Sequence, residues 1–241
     1  MTFHIITLFP EAFGSYFKES IIGRAIERKK IKVKFYNPLD YAVAKSVRQN
    51  GWGHKQADGK PYGGGPGMVL MAEPILKAVE AAKMKILSSE SKARNNIKIP
   101  NSKFKTIIFS PSGKKFTNNL GRAWVKEFDH LILICGRYEG VDARVKKILK
   151  ADPSLRAGVN EISIGDYVLT GGELPAMVVL DAAARQIPGV LGKFESVEEA
   201  RSVSSEVYTR PEVLIWKNKG YRVPKVLLSG NHAKIEKWRA K

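Results

Sequence analysis

Short apolar runs alternate with amphipathic helical patterns along the first half of the chain, and this alternation limits the fold more than any other feature. Residues 3–8, 32–36, 104–109 and 130–135 read as strands, while residues 11–29, 73–87 and 117–127 carry helical spacing. Continuous apolar strands separated by helices predict an α/β fold, a mostly parallel sheet with helices on both faces. A chain of 241 residues can bury one sizeable core and still carry a small second domain. The expected organisation is an α/β domain over residues 1–187, an interdomain linker over 188–208 and a small basic helical domain over 209–241. Two irregular stretches interrupt the first domain. Residues 40–67 form a long loop ending in glycine and proline, and residues 88–103 read as a polar, basic, solvated insertion.

Residues 162–176 run a β-rich segment through the pair Gly171-Gly172 directly into a helix expected at 174–187. Adjacent glycines remove side chains that would hold a ligand off the backbone, and the first turn of the helix offers unpaired N–H groups. Pro175 is tolerated there because no intrahelical donor is lost. The helix is apolar nearly all round, which predicts burial. Its Asp181 and Arg185, four residues apart, form either a helix ion pair or a site containing an arginine.

Forty-one Lys and Arg against 23 Asp and Glu give a formal charge of +18. A field of that sign favours polyanions, nucleic acid first. Residues 210–241 concentrate it, with nine Lys or Arg against two Glu. Tyr208, Trp216, Tyr221 and Trp238 interleave with those charges, either to stack on exposed bases or to form a small core of their own. No 18-residue apolar run and no signal-peptide pattern occur, so a cytoplasmic protein with no membrane association is expected. The single Cys135 excludes an internal disulfide and a cysteine-rich zinc site, and its apolar neighbours predict a buried strand residue. No dinucleotide fingerprint or P-loop occurs, and His4, His54, His130 and His232 are too scattered for a metal motif.

What remains are three strand-end loops, residues 109–113, 135–140 and 164–172. In an open α/β sheet, ligands bind beyond the carboxyl ends of strands, so these loops are expected to converge. Together with Leu8-Phe9-Pro10, Gly23-Arg24-Ala25, residues 61–68, Ile187-Pro188-Gly189 and Tyr208-Thr209-Arg210-Pro211, they make the whole chain resemble the bacterial tRNA (guanine-N1)-methyltransferases of the SPOUT class. The resemblance implies a C-terminal trefoil knot in the α/β domain, an exception to the rule against threaded chains. It also implies a small helical C-terminal domain, a homodimer, S-adenosylmethionine as methyl donor, and tRNA as substrate, methylated at N1 of the guanine just 3′ of the anticodon.

Carried over by position, Pro111, Gly136, Ile164, Gly165, Tyr167, Leu169, Gly171 and Gly172 match the family's donor pocket. Tyr138 and Glu139 match the region that meets donor and target base, where Glu139 can accept hydrogen bonds from guanine; a structural role for Arg137 and Tyr138 is the alternative. Tyr62, on the loop of residues 62–68, and Arg210 match substrate-contacting segments, and Arg185 matches an active-site arginine. The family's general base is an aspartate in the linker, but here Ala200 stands in that place. Glu199 or Glu198 is expected to take the role. The competing function is an RNA-binding protein that keeps the donor pocket and lacks the base.

Overall fold

The computed structural model describes residues 1–43, 55–91, 103–155, 157–191 and 206–239. The chain divides into two compact units, Met1–Val190 and Leu191–Lys241. In chain order the first unit comprises β1 (Thr2–Ile6), α1 (Gly14–Lys18), α2 (Ser20–Glu27), β2 (Lys32–Tyr36), β3 (Asp58–Gly59), β4 (Val69–Leu70), α3 (Ala72–Ser91), β5 (Phe104–Lys115), α4 (Asn118–Glu127), β6 (His130–Ile134), α5 (Ala143–Ala151), β7 (Val159–Ser163) and α6 (Glu173–Ala184).

Five of these strands form one sheet in the order β2-β1-β6-β5-β7, and every pairing in it is parallel. Alternate side chains along each strand face opposite sides. Phe3, Ile5, Ile107, Leu131, Leu133 and Ile162 enter one core with residues of α1, α2, α4 and α6. Ile6, Ile108, Ile132 and Ile134 enter the other with α3 and α5. Helices therefore cover both faces, and full burial of each such side chain contributes about 1.5–3 kcal/mol. The edge strand β2 carries Lys32 and Lys34, charges that discourage pairing with a further strand. Side-chain caps fix two helix starts, Thr117 accepting from the Leu120 N–H and Asp142 from the Arg144 N–H.

Several elements differ from expectation. The helix expected at 11–29 is a single 3₁₀ turn, Pro10–Phe13, followed by α1 and α2. The chain breaks at Glu19, which is extended, and Ser20, with φ of 51°. Five residues separate Phe17 from Ile22, a spacing that points them away from each other on one helix, and the break turns both into the same core. The strand expected to end at Phe109 resumes beyond it. Phe109 and Lys114 both pair with Ile162, so residues 110–113 bulge out of the sheet. Gly113 closes the bulge, where a Cβ would lie 2.5 Å from the backbone N of Ile162.

The helix after Gly172 is not buried all round. Leu174 is 54% exposed and Val178 44%, because none of the described residues of its own unit covers that side. The second unit is not purely helical. It holds an antiparallel hairpin, β8 (Val213–Trp216) and β9 (Lys219–Arg222), before α7 (Lys225–Leu228) and α8 (His232–Arg239). Trp216 is exposed on the hairpin and so forms no core, whereas Trp238 packs against Tyr208 with ring centroids 6.2 Å apart. Among the described residues, no helix is long and apolar enough to cross a membrane. Cys135 is buried, and burial raises its thiol well above the ordinary range.

A polar cluster sits at the amino end of the sheet. His4, wholly buried on β1, bonds through Nδ1 to the Tyr36 hydroxyl at 2.9 Å and through Nε2 to His130 Nδ1 at 3.1 Å. Burial, then the neighbouring His130 and Lys34, lowers its pKa to about 3. The unfolded chain, with an ordinary histidine near 6.5, thus binds the proton that the folded protein refuses. The stabilisation from this group is complete above about pH 6.5 and is lost as pH falls toward 3. Chemical denaturation at pH 7 and pH 4.5 is expected to differ by about 2–3 kcal/mol from His4 alone. In a His4→Gln variant that part of the difference should vanish.

Candidate active site

At the carboxyl ends of β5, β6 and β7 the three loops enclose a cavity of about 460 Å³. This falls within the range of sites for drug-sized ligands. All eight positions matched to the donor pocket line it: Pro111 in the β5 bulge, Gly136 after β6, and Ile164, Gly165, Tyr167, Leu169, Gly171 and Gly172 after β7. Tyr138 and Glu139 line it as well. Tyr138 holds a left-handed φ of 57° and is 55% exposed, a backbone conformation that costs about 1–3 kcal/mol for a non-glycine residue.

The enclosure depends on a chain crossing. From β7 at the sheet edge, residues 164–172 pass the end of β5 and meet the end of β6. There Arg137 and Gly171 form an antiparallel bridge, and the Gly172 N–H donates to the Gly136 carbonyl at 2.8 Å. A Cβ on Gly172 would lie 2.6 Å from Cys135 Cα and 2.8 Å from Gly136 N, so only glycine lets the two backbones touch.

A charged clamp locks this contact from outside. The Arg137 guanidinium stacks on the Phe9 ring at 4.3 Å, donates from a terminal nitrogen to the Thr170 carbonyl at 3.0 Å, and lies 3.6 Å from the Glu173 carboxylate. Glu173, buried at the first turn of α6, also accepts from the Thr7 hydroxyl at 2.8 Å. Arg137 thus joins the ends of β1 and β6 to the start of α6.

The glycine-rich loop is tied to the cavity rim. The Glu139 N–H donates to the Met68 carbonyl and the Leu70 N–H to the Gly140 carbonyl, both at 3.0 Å. The Glu139 carboxylate fills the space beside Gly67. Tyr62, on the same loop, is fully exposed and does not line the cavity.

Other matched residues lie apart. Arg185 caps the far end of α6, about 20 Å along the helix from Gly172 at 1.5 Å per residue, and is not part of the cavity wall. Beside it on α6, Asp181 accepts from the Tyr16 hydroxyl at 2.5 Å, and this bond raises the tyrosine pKa to about 12. Arg210 belongs to the second unit, where it lines a separate cavity of about 1000 Å³ with Tyr208 and Trp238. Glu198, Glu199 and Ala200 lie outside the described residues.

Sequence reasoning passed over the α5 side of the cavity, where Asp142, Lys146 and Glu161 contribute to the lining. The signal was present in the Asp142 cap followed by Val145 and Leu149, four residues apart and both buried.

A family model described as tRNA (Guanine-1)-methyltransferase TrmD matches residues 1–241. A tRNA (guanine-N(1)-)-methyltransferase of Carboxydothermus hydrogenoformans is 43% identical over 246 residues, covering 100% of this chain and 82% of the relative. Proteins of the same description from Pseudoalteromonas atlantica and Alkaliphilus oremlandii are 41% and 43% identical, each over 99% of this chain and over 78% and 86% of the relative.

Proposed function

The chain belongs to the tRNA (guanine-1)-methyltransferase family, and from that premise we propose that it methylates N1 of the guanine just 3′ of the anticodon in tRNA, with S-adenosylmethionine as donor. The observation that carries the donor assignment is the single cavity at the strand ends, where all eight family-matched positions meet. Its fit is chemical as well as spatial. Backbone groups freed by Gly136, Gly171 and Gly172 can meet an adenine edge and ribose hydroxyls, and Pro111, Ile164 and Leu169 supply apolar contact for a purine. The return of residues 164–172 from the sheet edge to β6 supports the family's trefoil knot.

S-adenosylmethionine supplies an electrophilic methyl group on a sulfonium whose departure leaves neutral sulfur. The protein's own task is at guanine, whose N1 carries a proton that must leave before it can attack. A general base is required, and Glu199 or Glu198 in the linker fills that role in place of the family's aspartate. Glu139 on the cavity rim accepts hydrogen bonds from guanine, and Arg185 stabilises negative charge developing on O6.

Because Arg185 stands about 20 Å from Gly172 on its own helix, it serves a second copy's cavity. The exposed stripe of Leu174 and Val178, flanked by Phe9 and Tyr16 at 42% and 43% exposure, supports a homodimer that uses this face of α6. Sedimentation analysis is expected to give a dimer for the native protein and a monomer for Leu174→Glu/Val178→Glu. The basic second unit, with Arg210, contacts tRNA phosphates, and the protein acts in the cytoplasm, where tRNA is found. The function is tested by methyl transfer from labelled donor to an unmodified tRNA transcript. Incorporation is expected with guanine beside the anticodon and none when that guanine is changed to adenine.

A further inference from the structure

Among the described residues, five charged side chains line the cavity: Arg137, Glu139, Asp142, Lys146 and Glu161. Three have defined employment elsewhere. Arg137 is held by Phe9, Thr170 and Glu173. Asp142 caps α5 and binds the Arg144 guanidinium through both oxygens. Glu139 lies exposed at the rim against Gly67. Lys146 of α5 and Glu161 of β7 remain, and their ammonium and carboxylate bond directly to each other. Their side chains are 38% and 30% exposed, half-buried in the wall rather than extended into solvent. Glu161 pairs in register with Ile108, next to the residue at which the β5 bulge begins. Val145 and Leu149, not the pair, carry α5 into its core.

We propose that Lys146 and Glu161 bind the α-amino-acid end of the methyl donor, the lysine taking its carboxylate and the glutamate its ammonium. This rests on the assignment of the cavity to the donor. The glycine backbone, Pro111, Ile164 and Leu169 suit a purine and a ribose but offer no fixed opposite charges to a zwitterion, and Arg137 and Asp142 are already engaged by other protein groups. Bringing a carboxylate and an ammonium into such a cavity without partners is costly. A protein ion pair of opposite polarity at hydrogen-bond distance matches the two ligand charges, which are carried by two substituents of one α-carbon. The four charges then close into a ring in which each has opposite neighbours. Before binding, the lysine and the glutamate neutralise each other.

The test uses two probes that share the adenosine and differ in the amino-acid end, S-adenosylhomocysteine and 5′-methylthioadenosine, measured by calorimetry on the full-length protein. Lys146→Met and Glu161→Gln are each expected to weaken S-adenosylhomocysteine by about 10- to 100-fold, one charge-assisted contact being lost. Affinity for 5′-methylthioadenosine should stay within about twofold of the native value, which also reports an intact cavity. Lys146→Arg should retain most of the affinity for S-adenosylhomocysteine. Equal weakening of both probes, or no change in either, would overturn the proposal while leaving the donor cavity in place. Native protein that binds neither probe would overturn the donor assignment itself.

Discussion

Gly172→Ala is expected to weaken S-adenosylhomocysteine binding and to slow methyl transfer by about 100-fold, because a misplacement of about 1 Å in a positioned site is enough for a rate loss of that size. The added methyl group would sit 2.6 Å from Cys135 Cα and 2.8 Å from Gly136 N. Neither neighbour is the flexible end of a side chain, so relief must come from separating the two backbones. That separation breaks the Gly172–Gly136 hydrogen bond and the Arg137–Gly171 bridge, which together hold the 164–172 loop over the cavity. Overpacking of this kind costs about 1–3 kcal/mol in stability, so thermal unfolding should shift downward as well. The control is Gly14→Ala. Gly14 has φ of −60° and nothing within 4 Å of its Cβ position, so stability should change by no more than about 0.5 kcal/mol and probe binding should not change. Native-like affinity in Gly172→Ala would mean that the crossing does not shape the cavity.

The second large effect is expected in the linker. Replacing both Glu198 and Glu199 with glutamine should slow single-turnover methyl transfer by about 10²- to 10⁴-fold, the range for loss of a general base. Affinity for S-adenosylhomocysteine should be unaffected. Guanine N1 cannot attack while protonated, and Ala200 cannot take the proton. A carboxylate one or two residues earlier, with one more methylene than aspartate, can. The single variants identify which glutamate acts, and native rates in both singles and in the double variant would exclude these two glutamates as the source of the base.

The parallel sheet was legible because its buried strands are nearly continuous apolar runs, and the cavity because ligand sites in open α/β sheets gather at the carboxyl ends of strands. The side chains of the α5 wall were harder to read. Residues 143–151 carry two buried apolar anchors among four basic residues, and a surface helix of that composition does not announce that one of its lysines faces a cavity. The β8–β9 hairpin was missed for a conformational reason. Its turn places Lys217 and Asn218 at φ of 50° and 61°, as the two-residue hairpin turn requires, and lysine in the first position hides the usual Asn-Gly signature. The exposure of α6 was not legible at all. An all-round apolar helix gives no sign of which face its own unit leaves open, and only the structure shows that face to be the one carrying Leu174 and Val178.

Nucleoside analysis of an unmodified tRNA transcript, after reaction with the native protein and S-adenosylmethionine, tests the function most directly. The expected result is one N1-methylguanosine per tRNA, located just 3′ of the anticodon, formed by native protein and reduced to trace by Gly172→Ala. Unmethylated tRNA despite tight S-adenosylhomocysteine binding, or a methyl group on any other base, would contradict the assignment.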